Sequence, residues 1–445
     1  MESDDIILNS LATTTIVKED WTFREISTSQ YTHGFHQYPA RMHPEIAKRM
    51  IEKYALGSKS VILDPFMGSG GVLVESIIHG NNSIGIDLNP FAVLLSKVKT
   101  SPIIHQKLED TFQDIIKKSK SDFQNHTKYD NAPEKLDLDF WYPVDARQKL
   151  PILKNHVFEI KNKEIKDFFK ICFSFTTRRS SYQKNSIYKI YRMKPENREI
   201  FSPDTFKMFS DICHKNINNM KEFYLKTKSQ KAKAFSILGD SRNIGKQFTK
   251  IPQEILDNGK AHLVVTSPPY GDHGTTVAYG QFSKHPGLWL ELEEKEELLS
   301  VDAKGLGGKK INDHTELESP LLDKIIKKIK KKDSESIKKT NLSDRAGDVY
   351  AFFYDLDSCL EQLSQYLKRG NSHLCFVVAN RTVRREKVPM DEILIELGRK
   401  YDFKHECTIY RTIANKAMAV KNAPENISNY SSDTMNQESI ILFKF

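Results

Sequence analysis

Thr266-Ser267-Pro268-Pro269-Tyr270 puts a hydroxyl, two prolines and an aromatic ring in consecutive positions. The run follows a short apolar segment, Ala261–Val265, that reads as a strand. At the carboxyl end of a strand in an open α/β sheet, such a turn lies where ligands bind. Proline fixes φ and removes an amide donor, so the turn is stiff and has few free donors. It can hold a flat ring against the tyrosine face and aim a hydroxyl and carbonyls at the ring's edge.

A second constellation lies upstream. Val61–Leu63 reads as a strand, followed by Asp64-Pro65-Phe66-Met67-Gly68-Ser69-Gly70-Gly71 and a helix through Val72–Ile78. Glycines at such a turn let the backbone approach a ligand and the helix pack on the strand. The next strand, Ser83–Asp87, ends in an acid 17 residues beyond Gly70. A carboxylate there accepts hydrogen bonds from ribose hydroxyls. Asn89-Pro90 opens another helix. Glycine turn plus distant acid suits a nicotinamide dinucleotide nearly as well as S-adenosylmethionine. Asp64 favours the latter, being a poor neighbour for a pyrophosphate and a good one for an ammonium group. A further strand, Phe235–Gly239, ends at Asp240. Near the N-terminus, Tyr31–Pro44 leads into a helix over Pro44–Tyr54 and carries histidines at 33, 36 and 43. No cysteine lies near them, and no metal site is expected.

Together these segments resemble the amino-methyltransferases, which methylate exocyclic amines of DNA bases. D-P-F-x-G-x-G is similar to their cofactor loop, and T-S-P-P-Y to the catalytic motif of the cytosine-N4 members. The likeness spans about 31–100, 138–210, 234–290 and 346–445, the last through Arg411–Lys416 and Met435–Glu438. It implies S-adenosylmethionine as cofactor, held by Tyr31, His36, Asp64, Pro65, Phe66, Gly68, Gly70, Asp87, Leu88, Asp240, Ser241 and Thr266. Asp240 would face the adenine, and the segment around Tyr31 and His36 would close over the methionine end. The implied catalytic set is Ser267, Pro268, Pro269 and Tyr270. Ser267 Oγ and the Pro268 carbonyl would accept the two amino hydrogens, and Tyr270 would stack on a base flipped out of the duplex. No Pro-Cys pair sits where a ring-carbon methylase keeps its nucleophile. The cofactor loop precedes the catalytic turn, unlike the commonest cytosine-N4 order.

The elements that must position these residues follow from periodicity. Seven core strands are expected at Val61–Leu63, Ser83–Asp87, Ala234–Gly239, Ala261–Thr266, Ser372–Ala379, His405–Arg411 and Glu438–Lys444. Helical spacing is clearest from Val349 to Leu367, ended by Gly370. The last two strands need no helix between them and pair antiparallel. The resemblance implies the fold class: a Rossmann-like, mostly parallel α/β methyltransferase sheet with an antiparallel terminal strand and a mainly helical insertion.

The chain has 445 residues and is 39% hydrophobic, with a net charge of +9 and a pI near 9.0. A modest basic excess suits a polyanion. Cysteines 172, 213, 359, 375 and 407 are scattered and odd in number, as in a reducing compartment. The first residues lack a signal-peptide pattern, and no apolar run approaches the ~20 residues of a membrane helix, so a cytoplasmic protein is expected.

The organisation expected is a catalytic domain from 1–100, 234–283 and 346–445, interrupted by two insertions. The first, 101–233, reads as helical and as the target-recognition element. Its basic and aromatic residues interleave at Arg178, Arg179, Tyr182, Lys189, Arg192 and Lys194, which suits phosphate and guanine contacts. The second, 284–345, carries Gly305–Gly308 and then the lysine run Lys324–Lys332. That run reads equally as a loop ordering on DNA or as a solvated helix face. The function expected is methylation of cytosine N4 in double-stranded DNA within a bacterial restriction–modification system. A cognate endonuclease is then a partner in the system without direct contact. Adenine-N6 methylation and RNA base methylation are the alternatives.

Overall fold

In a computed structural model of the chain, the described residues are 6–9, 14–17, 20–57, 59–185, 188–271, 277–293, 295–311, 316–337, 344–413, 421–422, 432–433 and 437–445. Of the closing segments that carry the family likeness, 414–416 and 435–436 lie outside them. In chain order the elements that build the site are α1 (Pro44–Tyr54), β1 (Val61–Asp64), α2 (Gly71–Ile78), β2 (Asn82–Asp87) and α3 (Pro90–Thr100). Helices α4 (His105–Gln124), α5 (Val144–Phe158), α6 (Lys163–Arg179) and α7 (Thr205–Thr227) come next. Then follow β3 (Ala234–Leu238), β4 (Leu263–Thr266), α8 (Tyr279–Leu290), α9 (Lys295–Lys304), α10 (Pro320–Ile337) and α11 (Arg345–Tyr366). The chain closes with β5 (His373–Val378), α12 (Met390–Arg399), β6 (Lys404–Thr412) and β7 (Gln437–Lys444).

The seven strands form one sheet in the order β6-β7-β5-β4-β1-β2-β3. Strand β7 runs antiparallel to both its neighbours, and the other pairings are parallel. This is the mostly parallel sheet with one antiparallel strand that the sequence leads one to expect, with each strand within about two residues of its expected span. Both faces are covered, so the central strands are continuous apolar runs, all four residues of β1 and of β4 being buried. Alternation still sorts the side chains. Val61 and Leu63 enter the core under α10, α11 and α12, while Ile62 packs with Ile46, Met50 and Leu73 under α1 and α2.

The 101–233 insertion is helical, and its core is not separate. Leu108, Leu153, Phe168, Phe209 and Phe223 join Val74, Ile77, Phe91 and Leu95 of α2 and α3 in one cluster. In the second insertion, α10 buries Leu322, Ile325 and Ile329 against Val349, Phe352 and Phe353 of α11. Its lysines are partly neutralised, Lys328 and Lys332 by Glu386. Gly305–Gly308 is not a free loop here: Asp355 Oδ2 accepts from Gly307 N at 2.8 Å. Among the described residues, no helix is long and apolar enough to cross a membrane.

Candidate active site

Strands β1, β2 and β3 step outward in one direction, and the chain then returns to lay β4 on the other side of β1. A crevice opens at the carboxyl ends of strands where the order reverses. Here it is a cavity of about 390 Å³, within the roughly 300–1,000 Å³ usual for small-molecule sites.

One wall is the turn after β1. Gly68 and Gly70 hold φ of +48° and +76°, which glycine adopts without strain. A Cβ on Gly70 would run into Ser96, and one on Gly68 would crowd Tyr38 at 3.3 Å. Asp87, ending β2, accepts from Gly68 N at 2.9 Å and from Asn89 N at 2.8 Å. Asp64 accepts from Thr266 Oγ1 at 2.7 Å and Phe66 N at 3.1 Å. Burial pushes Asp64 up to about 7 and Asp87 up to about 6. Beneath the turn, buried Lys99 donates to Ser69 O at 2.8 Å, and burial holds its ammonium well below the usual range.

Asp64, Pro65, Phe66, Gly68, Asp87, Leu88, Asp240 and Ser241 all line the cavity. Ser241 Oγ donates to Pro65 O, pinning β3's end to the glycine turn. Asp240 is paired with Arg242, Nη2 to Oδ2 at 2.7 Å. Gly70 and Thr266 lie just behind the lining and act through their neighbours.

The N-terminal segment corrects one expectation. Tyr31 and His36 are not in the cavity wall. Tyr31 packs at the edge of the insertion's core. His36 is 3% exposed, wedged against Phe91 and Phe175, with Nε2 3.3 Å from Ser174 Oγ. It ties the segment to α6, and burial lowers it to about 4. His33 and the run Tyr38–Pro44, with Arg41 and His43, are what this segment brings to the cavity. The three histidines do not converge: His33 bonds Glu75 at 2.7 Å, and His43 caps α1 by accepting from Glu45 N.

The opposite wall is the turn after β4. Ser267, Pro269 and Gly271 line the cavity; Pro268 and Tyr270 sit behind them. Ser267 Oγ donates to Val377 O at 3.0 Å and lies 3.3 Å from Tyr270 Oη. Tyr270 Oη in turn donates to Glu438 Oε1 at 3.1 Å. The turn is thus anchored to β5 and β7, and burial raises the Tyr270 phenol well above its ordinary range.

Both insertions reach the same cavity. Asp302, Lys304, Gly305 and Leu306 contribute from α9 and the turn after it. Residues 182–184 and 191–193 pair as a short antiparallel ladder, through Lys184 N to Tyr191 O and Met193 N to Tyr182 O. That ladder delivers Tyr188 to the cavity, edge-on to Phe282 at 6.0 Å. Of the six residues expected to meet DNA, Arg179 and Lys194 are exposed and Tyr182, Lys189 and Arg192 are half-buried. Arg192 lies over Phe140 at 3.9 Å. Arg178 corrects its expectation: it is 2% exposed, stacks on Phe282 at 4.9 Å and donates to Gln37 and Gln183. A position near the end of an amphipathic helix gives it the pattern of a surface residue.

A family description, DNA methylase, matches residues 5–98. The type II methyltransferase M.MvaI of Kocuria varians is 35% identical over 437 residues, 95% of this chain and 93% of that protein. The chain belongs to the type II DNA methyltransferases of the N4/N6 amino-methyltransferase family. A second relative, M.MjaII of Methanocaldococcus jannaschii, is 34% identical over 113 residues, 24% of this chain and 21% of that protein. The methyltransferase is therefore S-adenosylmethionine dependent, with DNA as its substrate. Its cavity fits that cofactor. Asp64 and Asp87 are buried acids with hydrogen-bond donors but, among the described residues, no Lys, Arg or His paired to either. A ligand carrying an ammonium beside Asp64 and hydroxyls beside Asp87 would suit both acids.

Proposed function

We propose that the methyltransferase modifies the exocyclic N4 of cytosine in duplex DNA, as the protective half of a restriction–modification pair. The supporting observation is Ser267. Its hydroxyl hydrogen has acceptors behind the turn, Val377 O at 3.0 Å and Tyr270 Oη at 3.3 Å, which leaves a lone pair to accept from an amine in the cavity. The N4 lone pair of cytosine is delocalised into the ring and is a weak nucleophile. Two acceptors on the amino hydrogens, Ser267 Oγ and the Pro268 carbonyl, localise that pair on nitrogen and fix its direction. The base reaches the cavity by flipping; Tyr270 sits behind the lining here, and its stacking on that base requires the turn to bring its ring forward.

The cofactor supplies an electrophilic methyl group. Asp87 takes its ribose hydroxyls, Asp64 its ammonium, and Asp240 and Ser241 its adenine end. The backbone around Gly68 and Gly70 leaves the space it needs. A serine at the head of the turn is the form typical of the cytosine-N4 enzymes, which is why cytosine is preferred to adenine. Digestion of methylated DNA to nucleosides and mass spectrometry tests this. 4-Methylcytosine is the expected product. 6-Methyladenine alone overturns the base assignment and leaves the enzyme class intact.

A further inference from the structure

Arg411 is the last inward-facing residue of β6, paired in register with Glu438 of β7. Both line the cavity. The guanidinium is buried, the residue being 6% exposed, and rests over the Phe23 ring at 5.2 Å. Its Nε lies 3.6 Å from Glu438 Oε2, beyond hydrogen-bond distance. Nε and Nη1 are both buried with no acceptor among the described residues. Buried donors are almost always satisfied, and an unsatisfied charged donor is costly. Glu438 is engaged elsewhere, taking the Tyr270 hydroxyl on Oε1 at 3.1 Å. A chain of neighbours therefore runs from Ser267 through Tyr270 and Glu438 to a cation whose donors await a partner.

We propose that Arg411 holds the acceptor edge of the flipped base, donating to the ring positions beside the amine that Ser267 takes. This rests on the cytosine-N4 reading of the cavity. Next to N4, cytosine carries two acceptors, N3 and O2, which match the fork of a guanidinium. Adenine carries N1 beside its amine and then a C–H, so one donor stays unpaired. Arg411 thus determines specificity: its buried Nε and Nη1, without a hydrogen-bond acceptor among the described residues, are satisfied only when the correct base is in place.

The test is single-turnover methyl transfer to duplexes carrying either cytosine or 3-deazacytosine, which lacks the N3 acceptor, at the modified position. Wild-type enzyme is expected to slow roughly ten- to a hundredfold on the analogue. Arg411→Met should slow by a similar factor on cytosine and show no further loss on the analogue. Its affinity for S-adenosylmethionine, read by titration, should be unchanged. Equal wild-type rates on both duplexes overturn the proposal whether or not the variants fold. So does an Arg411→Met enzyme that remains as sensitive to the analogue as wild type. Loss of cofactor affinity in Arg411→Met or Arg411→Lys reassigns the residue to the cofactor and also overturns it. If the product is 6-methyladenine, the cytosine reading fails separately, and the same comparison with 1-deazaadenine decides the fate of Arg411.

Discussion

The Thr266 hydroxyl donates to Asp64 Oδ1 at 2.7 Å, joining the carboxyl ends of β4 and β1 across the floor of the crevice. The residue before Ser267 and the residue before Pro65 are thereby one unit, so the catalytic turn and the cofactor turn keep a fixed spacing. Thr266→Val removes the bond and keeps the shape. A net hydrogen bond is worth about 1 kcal/mol, so S-adenosylmethionine affinity should fall about fivefold by titration calorimetry. Unchanged affinity and unchanged methyl transfer together would show that the two turns are positioned independently.

Asp87 should matter more. Losing a bond to a charged acceptor costs ~1.5–3 kcal/mol. Asp87→Ala also frees Gly68 N and Asn89 N, which it now holds at 2.9 and 2.8 Å. Cofactor affinity should drop roughly ten- to a hundredfold. Calorimetry showing wild-type binding would remove Asp87 from the site.

The two buried acids predict a pH dependence. Asp64 and Asp87 are raised by burial to about 7 and 6. A carboxylate raised on folding contributes stability that is present at low pH and lost as pH rises through its folded value. A cationic ligand reverses the sign, because it binds the ionised acids. The thermal shift produced by S-adenosylmethionine should therefore grow as pH rises from 5.5, most steeply below about 6, and level off above about 7. His36 and His43, both lowered by burial to about 4, oppose the acids in the free protein. They largely cancel in the difference with and without ligand. A ligand-induced shift that is flat across this range would mean that the ligand favours the ionised form of neither acid.

Arg178 and Arg179 are neighbours with different tasks. Arg178→Ala removes a buried guanidinium bonded to Gln37 and Gln183 and should cost about 2 kcal/mol of stability, read as a lowered melting temperature. Arg179→Ala with Lys194→Ala should leave melting unchanged and weaken DNA binding. The salt dependence of binding should become shallower, its slope falling by about one for each phosphate the variant no longer holds. An unchanged salt slope would place DNA elsewhere on the insertion.

What is legible in the sequence is local. The strands carry apolar runs, the glycines mark a turn with positive φ, and acids end β1 and β2 one residue before the chain turns. Such signals lie on adjacent strands and the turns that follow them, and the structure keeps them together. The histidine-rich segment is harder. Tyr31 and His36 resemble Tyr38 and His43 in type, and only the packing of Phe91, Phe175 and Ser174 around His36 separates wall from support. Lys99 carries no signal, because a lone lysine in a helix reads as surface. Arg411 and Glu438, 27 residues apart in the chain, are joined by the antiparallel register of β6 and β7, which no periodicity encodes. The lysine run of α10 likewise owes its partial neutralisation to Glu386, more than fifty residues along the chain.

The central claim is that Ser267 accepts an amino hydrogen in the switch-point cavity, and the single-turnover rate of Ser267→Ala with saturating DNA and cofactor tests it most directly. Removing one preorganised hydrogen-bond partner of a developing charge costs roughly 10²–10³ in rate. The neighbouring Pro268 carbonyl remains, so a loss near 10² is expected, with cofactor and DNA affinities unchanged. Transfer at the wild-type rate would contradict the account, and with a fully active Tyr270→Ala it would show that this turn is not the active site.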